Sequence, residues 1–284
     1  MNHEKSKSLK NGTGECPGKT LGSREGLDAF LESDLMQQRL AGIRNRIIVL
    51  SGKGGVGKST VAANMAVALS LSGRRVGLLD VDIHGPSIPG MLNLENETVI
   101  AVDGVMKPVD YAGLKVMSIG FLLRGKDSPV IWRGPMKMSM IKRFLAEVDW
   151  GELDFMIIDS PPGTGDEPLT ICQLAAPLTG AVVVTTPQDI AVNDVRRSVM
   201  FCRHLNLPVL GIVENMSGFV CPHCGKVTDI FKAGGGEKMA KDMDVPVLGR
   251  IPIDPAIGEG CDSGNPFVRY RDSSVTAECF NQMV

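Results

Sequence analysis

Eight consecutive residues, Gly52-Lys53-Gly54-Gly55-Val56-Gly57-Lys58-Ser59, follow the pattern G-x-x-x-x-G-K-S. Glycines let a backbone curl until successive N–H groups face inward as an anion nest. A helix starting at the second lysine adds the positive end of its dipole. In that setting Lys58 reaches the outer phosphates of ATP, and the Ser59 hydroxyl serves Mg²⁺. The expected phosphate site runs from Gly52 to Thr60. The bland alternative is a glycine turn joining strand to helix. It fits poorly, because a buried strand precedes the motif and an apolar helix follows. Asp159 closes the apolar run DFMIID, the position at which a carboxylate holds Mg²⁺ directly or through water. Asp80 and Asp82 end another such run, and both could face the phosphates because residues i and i+2 share one face. A carboxylate at Asp82, opening the stretch DIHGPS, could orient an attacking water. Lys53 is a second lysine inside the loop. It is either a solvated charge or a group reaching the phosphates of a partner subunit, as an arginine finger does in trans.

A second chemical site lies at Cys221-Pro222-His223-Cys224-Gly225. A C-x-x-C with Pro and Gly makes a tight knuckle that points two sulfurs at one ion. Two thiolates are half of a tetrahedral site, and the sequence holds no second C-x-x-C. A two-fold dimer would supply the other pair. Four thiolates suit a 4Fe–4S cluster or Zn²⁺, and spacing does not choose between them. A redox disulfide and a zinc knuckle completed by His223 are the remaining readings. Cys172, Cys202 and Cys279 stand in apolar helical contexts and read as small core residues. Cys261 is placed in a loop without a role, and Cys16 in the N-terminal tail.

These residues need a scaffold that brings them to one edge. RIIVLS (46–51), RRVGLLDVD (74–82), DFMIIDS (154–160), GAVVVTTP (180–187), LPVLGIVEN (207–215) and VPVLGRIP (245–252) are short apolar runs of the buried-strand type. Helical segments alternate with them, notably after the glycine loop and over 135–148 and 189–205. Strands alternating with helices predict an α/β fold, a doubly wound and mostly parallel sheet. Ligands in such sheets sit at the carboxyl ends of the strands, and each candidate site follows a strand. The expected organisation is a flexible extension over 1–44 carrying a short helix (27–43), then one nucleotide-binding domain over 45–284 with the knuckle near 219–231.

The composition narrows the partners. A formal net charge of -2 gives no basic excess for nucleic acid or an anionic membrane. Aromatic residues make up 5%, too few to suggest a base-stacking surface. No apolar run is long enough to span a bilayer, and the first twenty residues do not read as a secretory signal. Seven cysteines therefore read as reduced thiols of a cytoplasmic protein. Neither membrane nor nucleic acid is expected as a partner.

The loop KGGVGKST, with its extra Lys53, resembles the deviant Walker A of the nitrogenase iron protein, MinD, ParA and related dimeric ATPases. Within that class the chain is most similar to the Mrp/ApbC proteins, cytosolic carriers of Fe–S clusters. DVDIHGPSIP, WRGPM, IIDSPPGTGDEPLT, TTPQDIAVNDVRRSV, ENMSGFVCPHCG and GRIPIDP carry the likeness across about residues 44–270. The resemblance implies a P-loop ATPase that forms a homodimer, with Lys53 acting across it and Asp82 as the hydrolytic carboxylate in a first switch. Gly163 and its neighbours would form a second switch. Asn215 and the stretch from Pro252 to Asp254 would hold the base. It favours a 4Fe–4S cluster, shared by the two Cys221/Cys224 pairs and handed to apo target proteins. An organiser of the MinD or ParA kind, bound to membrane or DNA, is the alternative, and it leaves the knuckle unexplained. An electron-transfer reductase would place single, well-separated cysteines around its cluster.

Overall fold

The computed structural model describes residues 24–83, 85–123, 134–221, 223–224, 226–270 and 274–284. The tail with Cys16, and His84, Trp132 and Arg133, lie outside them. The chain opens with α1 (Arg24–Ala41), β1 (Ile43–Ser51), α2 (Lys58–Leu71), β2 (Val76–Asp80) and a short α3 (Ile88–Met91). Strands β3 (Ala101–Val102), β4 (Val105–Met106), β5 (Val109–Tyr111) and β6 (Leu114–Ser118) lead to a 3₁₀ turn, Ile119–Leu122. Then come α4 (Gly134–Ala146), β7 (Leu153–Asp159), α5 (Asp166–Leu174), β8 (Gly180–Thr185) and α6 (Asp189–His204). The remainder is β9 (Val209–Val220), β10 (Val227–Thr228), α7 (Gly235–Asp242), β11 (Val247–Ile253), α8 (Pro255–Ser263), α9 (Phe267–Tyr270) and α10 (Val275–Asn281).

The main sheet has the order β10-β9-β8-β1-β7-β2-β6-β5, and β11 also pairs with β9. All pairings among β1, β2, β6, β7, β8, β9 and β11 are parallel, while β5 and β10 run antiparallel. Alternate side chains of β1 serve two cores. Ile48 and Leu50 join Met36 and Leu40 of α1 and Phe144 and Leu145 of α4 on one face. Ile47 and Val49 join Val61, Met65 and Leu69 of α2, with Val268 and Phe280, on the other. This explains why the strands read as unbroken apolar runs. It also explains why α2 is apolar all round: ten of its fourteen residues are buried.

The central strand β1 sits between β7 and β8. The path through α2 leads to β2 on one side, and the path from β7 through α5 leads to β8 on the other. The loop after β1 thus occupies the crevice where strand order reverses, the usual ligand position in such sheets. Register aligns the strand ends there: Val49 and Asp80 both pair with Asp159, and Ser51 pairs with Val184.

One boundary and one strand differ from expectation. β1 begins at Ile43, already paired with Leu153, and α1 buries Leu40 in the core. A division at residue 44 therefore cuts the first strand, and α1 is part of the packed body. β6, a parallel neighbour of β2, fell in an unassigned stretch; it is only five residues, with Lys115 interrupting the apolar pattern.

Candidate functional site

The loop from Gly52 to Gly57 turns back over the end of β1. Gly55 and Gly57 take φ of 78° and 81°, the left-handed region that glycine enters without strain. At Gly57 a second requirement is added, since a Cβ would overlap the Asn215 amide. The Asn215 Nδ2 donates to the Val56 carbonyl at 2.9 Å, so strand β9 braces the loop from behind. Ser51 Oγ donates to the Lys53 carbonyl at 2.9 Å and fixes the first turn.

Lys58 begins α2 and is buried with its ammonium among carboxylates. Its Nζ lies 2.5 Å from Asp159 Oδ1, 3.5 Å from Asp82 Oδ2 and 3.2 Å from Ser59 Oγ. The other Asp159 oxygen is buried without a hydrogen-bond partner among the described residues. Burial pushes the Asp159 carboxyl above its ordinary range, while Lys58 and Ser59 pull it back. Asp80 is pushed up to about 8, first by burial and then by the charge of Asp159. A cavity of about 210 Å³ opens beside these groups. Its walls are the loop glycines, Lys53, Lys58, Ser59, Thr60 and Asp82, with Ser87, Met91 and Pro162 at its rim.

An oxygen-rich pocket with a buried lysine, a hydroxyl and an unpartnered carboxylate oxygen suits a polyphosphate with a hard cation. Gly52 stands behind this wall, against the backbone of Asp194 in α6. Asp80 does not face the cavity: its oxygens accept from Ser118 Oγ (2.8 Å) and from the Asp82 N–H (3.1 Å). The expectation of two carboxylates facing the phosphates is thus corrected to Asp82 alone, because Asp80 is fully buried and spent on the protein itself. Asp254 caps α8, accepting from Ala256 N (3.0 Å) and Thr276 Oγ1 (2.9 Å), with Pro252 just before it in β11. Gly163 takes φ 95° and donates its N–H to the Ser51 carbonyl at 2.8 Å, holding the segment after β7 against the loop.

The knuckle is a separate place, at the far end of β9. β9 and β10 form a hairpin, Val220 pairing with Val227, and the Cys221 N–H donates to the Lys226 carbonyl at 3.0 Å. Cys221 is half-buried; His223 and Cys224 are exposed. The N–H groups of His223 and Cys224 hold the Cys221 thiol below its ordinary pKa, with the Cys224 side chain adding to them. That favours the thiolate, the form that ligates a metal. Among the described residues no group of three or more His, Cys, Asp or Glu is assembled for a metal. Exposed Val227 and Ile230 flank the pair with apolar surface.

Cys172 and Cys202 are buried, and burial pushes their thiols up to about 11 and about 12. Cys279 is half-buried. Cys261 lies in α8 rather than in a loop, its sulfur 3.9 Å from Thr60 Oγ1. Glu214 was passed over by the sequence reading. It is wholly buried and accepts from Ser217 Oγ (2.6 Å) and the Gly236 N–H (2.6 Å), tying β9 to α7 between the loop and the knuckle. Its signal was present: an acidic residue next to Asn215 in an otherwise apolar strand.

The family model described as NUBPL iron-transfer P-loop NTPase, of the ParA group, matches residues 42–284. The chain belongs to this family. An iron-sulfur cluster carrier protein of Methanocaldococcus jannaschii is 53% identical over 234 residues, 82% of this chain and 81% of that protein. A cytosolic Fe-S cluster assembly factor NUBP2 homolog of Nematostella vectensis is 50% identical, over 88% of this chain and 94% of that one. Among solved structures, a nucleotide-binding protein of Archaeoglobus fulgidus in complex with ADP superposes with a TM-score of 0.75. It is 42% identical over 84% of this chain and 94% of its own. The septum site-determining protein MinD of Pyrococcus horikoshii, complexed with Mg-ADP, is more distant, at 25% identity and a TM-score of 0.62. The two regions described above differ in chemistry, oxygen and nitrogen at the loop and sulfur at the hairpin. No helix among the described residues is long and apolar enough to cross a membrane.

Proposed function

We propose that this chain is an ATP-hydrolysing carrier that holds an Fe–S cluster between two copies of itself and hands it to apo-proteins. The carrying observation is the pair of half-buried Cys221 and exposed Cys224, half of a four-sulfur site, just after a strand that also braces the nucleotide loop. A tetrathiolate site completed by symmetry needs only one pair per subunit. The names of the relatives from Methanocaldococcus jannaschii and Nematostella vectensis support a cluster as the cargo.

In the nucleotide site, the loop N–H groups and Lys58 take the phosphates, and Ser59 and Asp159 hold Mg²⁺. Magnesium, held by those two residues, would supply charge neutralisation for the phosphates. Drawn toward the phosphates, Lys58 leaves Asp159 to the cation, which also meets the need of its orphaned oxygen. Asp82 orients the attacking water, and Lys53, in the cavity wall, reaches the partner's phosphates. Asn215 and the turn from Pro252 to Asp254 border the base. Closure of the dimer by ATP changes how the bridged cluster is held; this requires that ATP bind the open and closed dimers with different affinity.

The test is anaerobic purification followed by iron and sulfide analysis, with oligomer mass measured with and without ATP. The expected result is a dimer carrying about four irons per pair of chains. A protein free of iron and sulfide after reconstitution, or monomeric under every condition, ends this reading.

A further inference from the structure

The buried contacts of Asp80 have no part in binding phosphate, yet they converge on the segment that forms one wall of the cavity. Asp80 closes β2 at zero exposure, in register with Asp159. An ionisable group at that depth is costly unless its oxygens are hydrogen-bonded. One oxygen accepts the backbone N–H of Asp82 at 3.1 Å, and the other accepts the Ser118 hydroxyl at 2.8 Å. Ser118, also at zero exposure, closes β6 and in turn accepts the Gly120 N–H at 3.0 Å. A chain of hydrogen bonds therefore runs from the 3₁₀ turn through Ser118 and Asp80 to the backbone of Asp82.

The same turn touches the far side of that segment. A Cβ on Gly120 would lie 3.0 Å from Pro89 and 3.3 Å from Pro86, so the turn fits closely against both prolines. Between them the two contacts hold the segment at Asp82 and again at Pro86 and Pro89. That stretch brings Asp82, Ser87 and Met91 to the phosphate cavity. A core position between two strands needs no carboxylate or hydroxyl for packing. A fully satisfied polar pair there specifies one geometry, which an apolar pair would leave free.

We propose that Ser118, acting through Asp80, is a positioning residue that sets the Asp82 segment at the phosphate cavity. Neither side chain lines the phosphate cavity. The role rests on the reading of Asp82 as the group that orients the attacking water, and it adds β6 and its turn to the hydrolytic apparatus.

Ser118→Ala strands one Asp80 oxygen and frees the Asp82 segment. In the full-length dimer with MgATP, kcat is expected to fall about tenfold. The dissociation constant of a non-hydrolysable ATP analogue is expected to stay within about twofold, since the loop and Lys58 are untouched. Ser118→Thr keeps the hydroxyl and should restore kcat. Independently of turnover, hydrogen exchange in the peptide spanning 81–91 should quicken in nucleotide-free Ser118→Ala and recover in Ser118→Thr. Unchanged kcat with unchanged exchange overturns the proposal. Equal losses of affinity and kcat that Ser118→Thr does not repair would mark a general folding defect and also overturn it. If the wild type does not hydrolyse ATP, the role of Asp82 falls by itself, and the exchange measurement alone decides whether Ser118 positions the segment.

Discussion

The phosphate loop and the cysteine knuckle both depend on β9, which braces the first through Asn215 and leads into the second, and they are built in opposite ways. At the loop, Lys58, Asp159 and Asp80 are buried before any ligand arrives, and nearly every polar group is already spoken for. At the knuckle, two thiols stand at the surface on a two-residue ladder, supported by backbone N–H groups of their own turn. The first site is preorganised within one chain, so its binding energy is not spent on ordering. The second is incomplete within one chain, so its ligand strength depends on what meets it. Between them lie Asn215, bonded to the loop, and Glu214, bonded to Ser217 and α7. Five residues separate the loop's brace, Asn215, from the first sulfur, at Cys221, a short connection for coupling the two.

The sharpest way to break the comparison is to remove one site and ask whether the other notices. Replacing Cys221 and Cys224 together by serine should abolish iron binding after anaerobic reconstitution, measured as iron per chain. Compared with metal-free wild type, titration with a fluorescent ATP analogue should give an affinity unchanged within about twofold, because neither cysteine lines the phosphate cavity. Retained iron would show that other ligands hold it, and the contrast between the two regions would vanish.

The converse change is Lys58→Ala. It removes the cation that Asp82 and Asp159 share and leaves Asp159 buried without it. Each charge-assisted bond lost to the phosphates is worth about 1.5–3 kcal/mol, roughly ten- to a hundred-fold in affinity. Nucleotide titration should show that loss while cysteine-dependent iron loading persists. If iron loading falls in step, the loop governs the knuckle more tightly than a preorganised and an unfinished site would imply.

A smaller effect separates the regions by pH. Asp80 has a folded-state value of about 8 against an ordinary 3.8, so the folded chain holds a proton that the unfolded chain releases. Its contribution to stability is complete below the unfolded value and is lost as pH rises through the folded one. Nucleotide-free protein should therefore melt at lower temperature as pH goes from about 6 to about 8.5, and Asp80→Asn should flatten that slope. Calorimetry across the range checks it; a slope identical in the variant would place the sensitive group elsewhere.

Most of the architecture was legible because buried parallel strands write themselves as apolar runs. β1, β2, β7, β8, β9 and β11 all fall where RIIVLS and its counterparts predict them. The glycine-lysine loop was equally plain, since few other functions require that spacing. What was hidden depends on tertiary neighbours. Ser118 looks like any strand-end serine until the fold sets it against Asp80. Asp80 looks like a second phosphate-facing carboxylate until burial turns it inward. Cys261 stands 201 positions from Thr60 in sequence and beside it in space. The start of β1 lies three residues before the apolar run 46–51 because Arg44 and Asn45 interrupt the pattern, although backbone pairing with β7 begins at Ile43.

The least of the expected effects lies within the knuckle. Cys221 receives N–H bonds from His223 and Cys224, which favour its thiolate; Cys224 lies one turn further out and is more exposed. Thiolate fraction and access then pull in opposite directions, since the alkylating agent reacts with the ionised sulfur but must first reach it. Small iodoacetamide is little hindered at a half-buried site, so ionisation should win. In metal-free protein near neutral pH, Cys221 should be alkylated a few-fold faster than Cys224, read by mass spectrometry of the peptide carrying both. The buried Cys172 and Cys202, with thiols raised to about 11 and about 12, should react far more slowly and serve as internal references. Faster labelling of Cys224 would mean that exposure outweighs the N–H bonds. The knuckle would then be two ordinary surface thiols rather than a half-site poised for a metal.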